Sequence, residues 1–154
     1  MRRCLVLCAL IASGSSLVQA DTSKGIAAYH RGEYSLAFKE LFRPAELGDP
    51  VAQYSIALLY YSGKGVARNR TEARRWYNLA ANQGYGQAQV NLAIMCAEGE
   101  GGQRDLVEAY KWFTLAAAQG IRNGAEAREA LVPRMTDAQV EAGKKAAILW
   151  VPIK

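Results

Sequence analysis

Along this chain, apolar residues recur at spacings of three and four. Ala73, Trp76, Tyr77, Ala80 and Ala81 form one such stripe, and Ala109, Trp112, Phe113, Ala116 and Ala117 form another. This is the period of a helix with one buried face. Each stripe runs into a glycine, Gly84 or Gly120, where left-handed backbone can end a helix. A return stripe of Ala88, Leu92, Ala93 and Cys96 predicts an antiparallel partner helix. Asn69 precedes Glu72 by three and Asp105 precedes Glu108 by three. That spacing predicts a capping box at each helix start, the Asx oxygen accepting from free amides and the glutamate reaching back.

The two stripes belong to one repeat. Residues 72–84 (EARRWYNLAANQG) and 108–120 (EAYKWFTLAAAQG) share eight of thirteen residues at an offset of 36. The same register extends upstream. Ala37, Ala45, Gly48, Ala52, Gln53, Ile56, Ala57 and Tyr60 align with Ala73, Ala81, Gly84, Ala88, Gln89, Leu92, Ala93 and Cys96. A third unit begins at Ala109, Ala117 and Gly120 and loses the register after Asn123. Glu40 stands where the later units have Trp76 and Trp112, as suits an end of the array.

A single helix pair cannot bury both faces, so such units stack. The expected fold is all-α, a solenoid of about three stacked 36-residue helix-turn-helix repeats. A lead-in helix near SKGIAAYHRG precedes it, and C-terminal capping helices follow. Pro133 should interrupt the first of these, and Thr136 and Asp137 should start the last. Val140, the Lys144 stem, Ala147, Ile148 and Trp150 of that last helix are placed to cover the open end of the stack. No strand is expected.

Composition refines this picture at the N-terminus. MRR followed by an apolar run and VQA reads as a secretory signal over residues 1–20, cut after Ala20, leaving residues 21–154 as the solenoid domain. Cys4 and Cys8 would leave with it. Cys96 alone remains, so a disulfide framework is excluded and the core alone must stabilise the domain. Removing Arg2 and Arg3 leaves 17 basic against 14 acidic side chains, a net of +3. Basic residues dispersed in this way argue against nucleic-acid binding. The expected location is the periplasm or outside the cell, with no stable membrane anchor after cleavage.

Catalytic chemistry finds no support in the residue pattern. His30 stands beside Arg31 without a nucleophile in view, and Cys96 lies on an apolar stripe, where an inert core thiol is expected. SGKGV and EGEGG are turns of the repeat, without the spacing of a phosphate loop. No His, Cys and carboxylate cluster has metal-ligand spacing. The expectation is a protein that is not an enzyme and carries neither cofactor nor metal.

At EAxxWYxxAAxQGxxxAQxxLAxxY followed by GxGV, the chain resembles the Sel-like repeat (SLR) family, relatives of the tetratricopeptide repeat, over roughly Gly32 to Ala125. The closing RMTDAQVEAGKKAA is similar to the terminal helix of exported bacterial members. The resemblance implies a right-handed α-solenoid whose first helices line a concave face that serves as an adaptor surface for proteins. The chain departs from the pattern at Cys96, where the family usually has Tyr as at Tyr60, and at Gly102, where it usually has Val as at Val66. These changes predict a packing deficit between the second and third units, or its filling by a neighbour. The paired cysteines of the cysteine-rich branch, linked in some members to β-lactam binding or hydrolysis, are absent.

What remains for function is a surface. The outward side of the first helices carries Phe38, Arg74 and Tyr110, then Lys39, Arg75 and Lys111, then Phe42, Asn78 and Thr114. The middle set reads as a column of like charge, either a solvated face or a groove for an acidic peptide, with aromatic residues as anchors. The leading expectation is an exported, non-enzymatic adaptor binding an envelope or secreted partner. The alternatives are a binder or hydrolase of cell-wall or β-lactam ligands, and a structural subunit of an envelope assembly.

Overall fold

The computed structural model describes residues 22–153, so the expected signal segment and its cut after Ala20 lie outside the described residues. Among the described residues, helices account for all regular structure and there is no strand. Helix α1 is described over residues 22–30. Three pairs follow: α2 (Tyr34–Glu46) with α3 (Pro50–Ser62), α4 (Arg70–Asn82) with α5 (Gly86–Glu98), and α6 (Leu106–Ala118) with α7 (Arg122–Leu131). Pro133 falls in a 3₁₀ turn, Val132–Arg134, and α8 (Asp137–Leu149) closes the array. Each first helix packs on its own second helix, and α3 against α4 and α5 against α6 join successive pairs. The fold is the expected all-α solenoid.

The caps follow the sequence with one difference. Asn69 accepts from the Glu72 amide and Asp105 from the Glu108 amide, each at 3.0 Å. The glutamate side chains do not reach back. Glu72 pairs with Arg75 and Glu108 with Lys111, one turn onward. A reciprocal capping box forms instead at α8, where Gln139 N–H donates to Thr136 Oγ1 and Thr136 N–H donates to Gln139 Oε1.

Between units, small residues let backbones approach: Ala37, Ala73 and Ala109 have no exposed surface, nor do Ala80 and Ala116. Trp76, Tyr77, Trp112 and Phe113 fill the wider gaps. A part-buried glutamine joint recurs every 36 residues. Gln83 Nε2 donates to Gln53 Oε1 at 2.8 Å, and Gln119 Nε2 to Gln89 Oε1 at 2.9 Å. Gln53 and Gln89 in turn donate to the Ala45 and Ala81 carbonyls. A buried amide bonded through both its oxygen and its nitrogen in this way fixes the register of one unit on the next, since a slip would orphan its polar atoms.

The last helix takes an unexpected place. A continued array would set α8 against α7 as α6 sits against α5, but α8 packs on α6. Gly143 makes this possible: a Cβ there would lie 2.7 Å from the Tyr110 ring and 3.0 Å from Tyr110 Cβ. Val140, Ala147 and Trp150 pack inward as expected, whereas Ile148 is 82% exposed. Trp150 then meets Trp112 edge-on at 6.1 Å, and the Ile153 amide donates to the Asn82 carbonyl at 2.8 Å. The segment after α8 thus reaches from the third unit back to the second.

Candidate interaction surface

The face built by α2, α4 and α6 holds all nine residues singled out above, but they form no uniform groove. In the first unit, Phe38 stacks edge-on against Tyr60 at 5.4 Å and lies 5.5 Å from Phe42, which in turn meets Trp76 at 5.9 Å. The two phenylalanines are half-buried rungs of an aromatic ladder rather than free anchors. Tyr110, the third aromatic, is 6% exposed because α8 covers it. Thr114 is half-buried and donates to the Tyr110 carbonyl within α6. Asn78 is exposed and accepts from Asn82 Nδ2 at 2.6 Å.

Nor are the three cations a column of free charge. Arg75 donates twice to Glu72 Oε2, at 3.0 and 2.9 Å, while its guanidinium lies 4.2 Å over the Trp76 ring. Lys111 repeats the arrangement with Glu108, its nitrogen 4.1 Å over Trp112, and its side chain is only 13% exposed. Each cation is neutralised one turn back and held on the next tryptophan, an attraction added to that of the ion pair. Leu36 and Glu40 replace that glutamate and that tryptophan in the first unit. Lys39 is exposed and, among the described residues, has no ion pair.

Arg74 belongs to the framework. Its guanidinium donates to the Gln103 carbonyl at 3.0 Å, to the Glu100 carbonyl at 3.4 Å and to Cys96 Sγ at 3.3 Å. A Cβ at Gly102 would stand 2.8 Å from its Nη1. The departures at Cys96 and Gly102 now have one cause. Phe38, Tyr60 and Val66 of the first unit become Arg74, Cys96 and Gly102 in the second, and the small thiol and bare glycine make room for a guanidinium. The predicted deficit is filled, and by Arg74. Burial pushes the Cys96 thiol above its ordinary pKa, with Arg74 pulling partly the other way, so it is a protonated core group at neutral pH.

With the third row closed, the open part of this face lies at the C-terminal ends of α2 and α4. A cavity of about 520 Å³ there is lined by Leu47, Gly48, Asn78, Leu79, Asn82, Gln83 and Ile153. Leu47 and Leu79 are exposed. Of this set only Asn78 follows from reading first-helix positions in register. Leu47 stands where the later units have the joint glutamines Gln83 and Gln119, which is the signal that marks it. Ile153 is brought there by the fold alone.

The described residues contain no group of three or more His, Cys, Asp or Glu able to hold a metal, and no helix long and apolar enough to cross a membrane.

A Sel1 repeat family model matches residues 50–85 and 86–121. These spans join α3 with α4 and α5 with α6, the same array counted from the second helix of each pair. The fold is similar to that of c5321, a protective antigen present in uropathogenic Escherichia coli strains displaying an SLR fold, with 26% identity and a TM-score of 0.82 over 86% of this chain and 29% of that one. It is also similar to a Sel1 repeat protein from Oxalobacter formigenes, with 33% identity and a TM-score of 0.71 over 82% of this chain and 54% of the other. The chain therefore spans less than two thirds of either relative. No curated protein matches.

Proposed function

We propose that this Sel1-repeat protein is an exported, non-enzymatic adaptor that holds a peptide segment of an envelope or secreted protein against the open ends of α2 and α4. Proteins with these repeats generally mediate protein–protein interaction and typically act as scaffolds without catalysis. The observation that carries the reading is the cavity lined by Leu47, Leu79 and Ile153, with Asn78, Asn82 and Gln83 also in its lining. Apolar walls with a few placed amides suit a short segment held by one or two side chains. Lys39, on the same face and free of the pairing that neutralises Arg75 and Lys111, favours a partner with a carboxylate nearby. Export rests on the apolar leader of residues 1–20.

Photo-crosslinking in intact cells tests this. A photoreactive phenylalanine analogue at Leu79 should give discrete protein adducts in the envelope fraction, and Leu47→Ser should remove them. The same probe at Gln87, exposed on α5, should give none. Equal adducts from positions 79 and 87, or adducts indifferent to Leu47→Ser, would place recognition elsewhere on the molecule.

A further inference from the structure

The last helix and the extended segment after it divide sharply into two sides. Ala147 and Trp150 face the solenoid, and Pro152 approaches Gly84. Ile148, Leu149 and Val151 face away and are 82%, 68% and 76% exposed. Of the other exposed large apolar residues, Leu47, Leu79 and Ile153 belong to the cavity described above, and Leu36, Val51 and Ile94 stand singly. Isolated exposed leucines are ordinary on a soluble protein, but three large ones in four consecutive residues form a patch that calls for a partner. Residues 142–154 also contain three lysines, Lys144, Lys145 and Lys154, and no carboxylate side chain. Lys144 is paired with Glu141, whereas Lys145 is exposed and, among the described residues, has no ion pair.

We infer that this segment is a reversible docking site for an anionic lipid surface. The form of the patch decides among occupants. Ile148, Leu149 and Val151 lie outside the cavity at Leu47, Leu79 and Ile153 and are each more exposed than its apolar lining, so they offer a protein no recess for an anchor. They can themselves enter a deformable apolar layer while the lysines stay among headgroups, the arrangement of an interfacial segment. A second copy fits poorly: three side chains fall short of the about 800 Å² per partner of a stable interface, and a symmetric pairing would set Lys145 near its own copy. Anionic headgroups turn the same lysines into an attraction. Three apolar side chains give weak, salt-sensitive association, distinct from anchoring by a spanning helix.

The test uses the full chain with vesicles of phosphatidylcholine alone or with one quarter phosphatidylglycerol, at low and physiological salt. Amide exchange read at residues 145–153 separates this site from any contribution of residues 1–20. The expected result is slowed exchange at 145–153 on the phosphatidylglycerol vesicles, weaker at higher salt. In the variant Ile148→Ser/Leu149→Ser/Val151→Ser the vesicle concentration needed should rise at least about tenfold, with an unchanged melting curve because these side chains leave the core intact. Unaltered exchange at 145–153, or equal protection on pure phosphatidylcholine, overturns the inference. A doubling of mass without lipid that the triple variant abolishes also overturns it, assigning the patch to a second copy.

Discussion

If Arg74, Cys96 and Gly102 are a coupled replacement for Phe38, Tyr60 and Val66, the second unit should accept the first unit's set only as a whole. Arg74→Phe alone removes the bonds to the Gln103 and Glu100 carbonyls at 3.0 and 3.4 Å. Charged hydrogen bonds contribute about 1.5–3 kcal/mol each; one of these is long and the residue is half-exposed, so the expected loss is about 2 kcal/mol. Cys96→Tyr alone drives a phenol into the space that Arg74 Nη2 occupies 3.3 Å from the sulfur, at an overpacking cost of about 2 kcal/mol. Gly102→Val adds a side chain where even a Cβ meets Nη1 at 2.8 Å, and a flexible guanidinium can retreat, so about 1 kcal/mol is expected.

Independent effects would then sum to about 5 kcal/mol, much of the stability of a domain this size. The triple variant should instead lose about 1 kcal/mol or less, because Phe38 and Tyr60 already pack edge-on at 5.4 Å on the same backbone frame one unit earlier. Urea denaturation of the three single variants and the triple, compared at equal slope, measures the coupling. A triple variant whose loss equals the sum of its singles within about 0.5 kcal/mol would refute the reasoning.

Trp76 is 3% exposed and joins the aromatic ladder at Phe42; Trp76→Ala should cost about 3–5 kcal/mol, and an unchanged denaturation midpoint would mean the units are not stacked through it. Burial raises the pKa of Tyr77, an effect only partly offset by its hydrogen bond to Asn91. The unfolded chain therefore loses this proton first, from about pH 10, so the contribution of this phenol to stability should be level below that pH and fall above it. Tyr77→Phe should make the alkaline fall shallower, and an equal fall in both proteins would show that this phenol is not responsible.

The parts of this molecule legible in its sequence are those set by period and by local chemistry. Ala73, Trp76, Tyr77, Ala80 and Ala81 are buried because their spacing puts them on one face, and Asn69 and Asp105 cap because an Asx oxygen needs only amides two or three residues away. Glu72 and Glu108 show where local rules stop deciding. Their spacing from the cap suits a reciprocal bond, but a cation three residues onward, held over a tryptophan, competes for the same carboxylate. A charged partner wins over a backbone amide that solvent can also satisfy.

The candidate surface was less legible because exposure on a first helix depends on what lies across it. Phe38, Arg74 and Tyr110 share one register position and meet three fates: a rung in an aromatic ladder, a guanidinium bound to a loop, and a ring sealed under Gly143. A repeat fixes where a side chain starts, and the neighbour opposite fixes whether it is free. In the second unit that neighbour is the loop at Gly102, whose missing side chain admits Arg74. In the third it is α8, whose missing side chain at residue 143 admits Tyr110. Two glycines thus remove Arg74 and Tyr110 from the face available to a partner and leave the ends of α2 and α4 open. Variation at such glycines, more than at the exposed positions themselves, is how one repeat frame would present different surfaces.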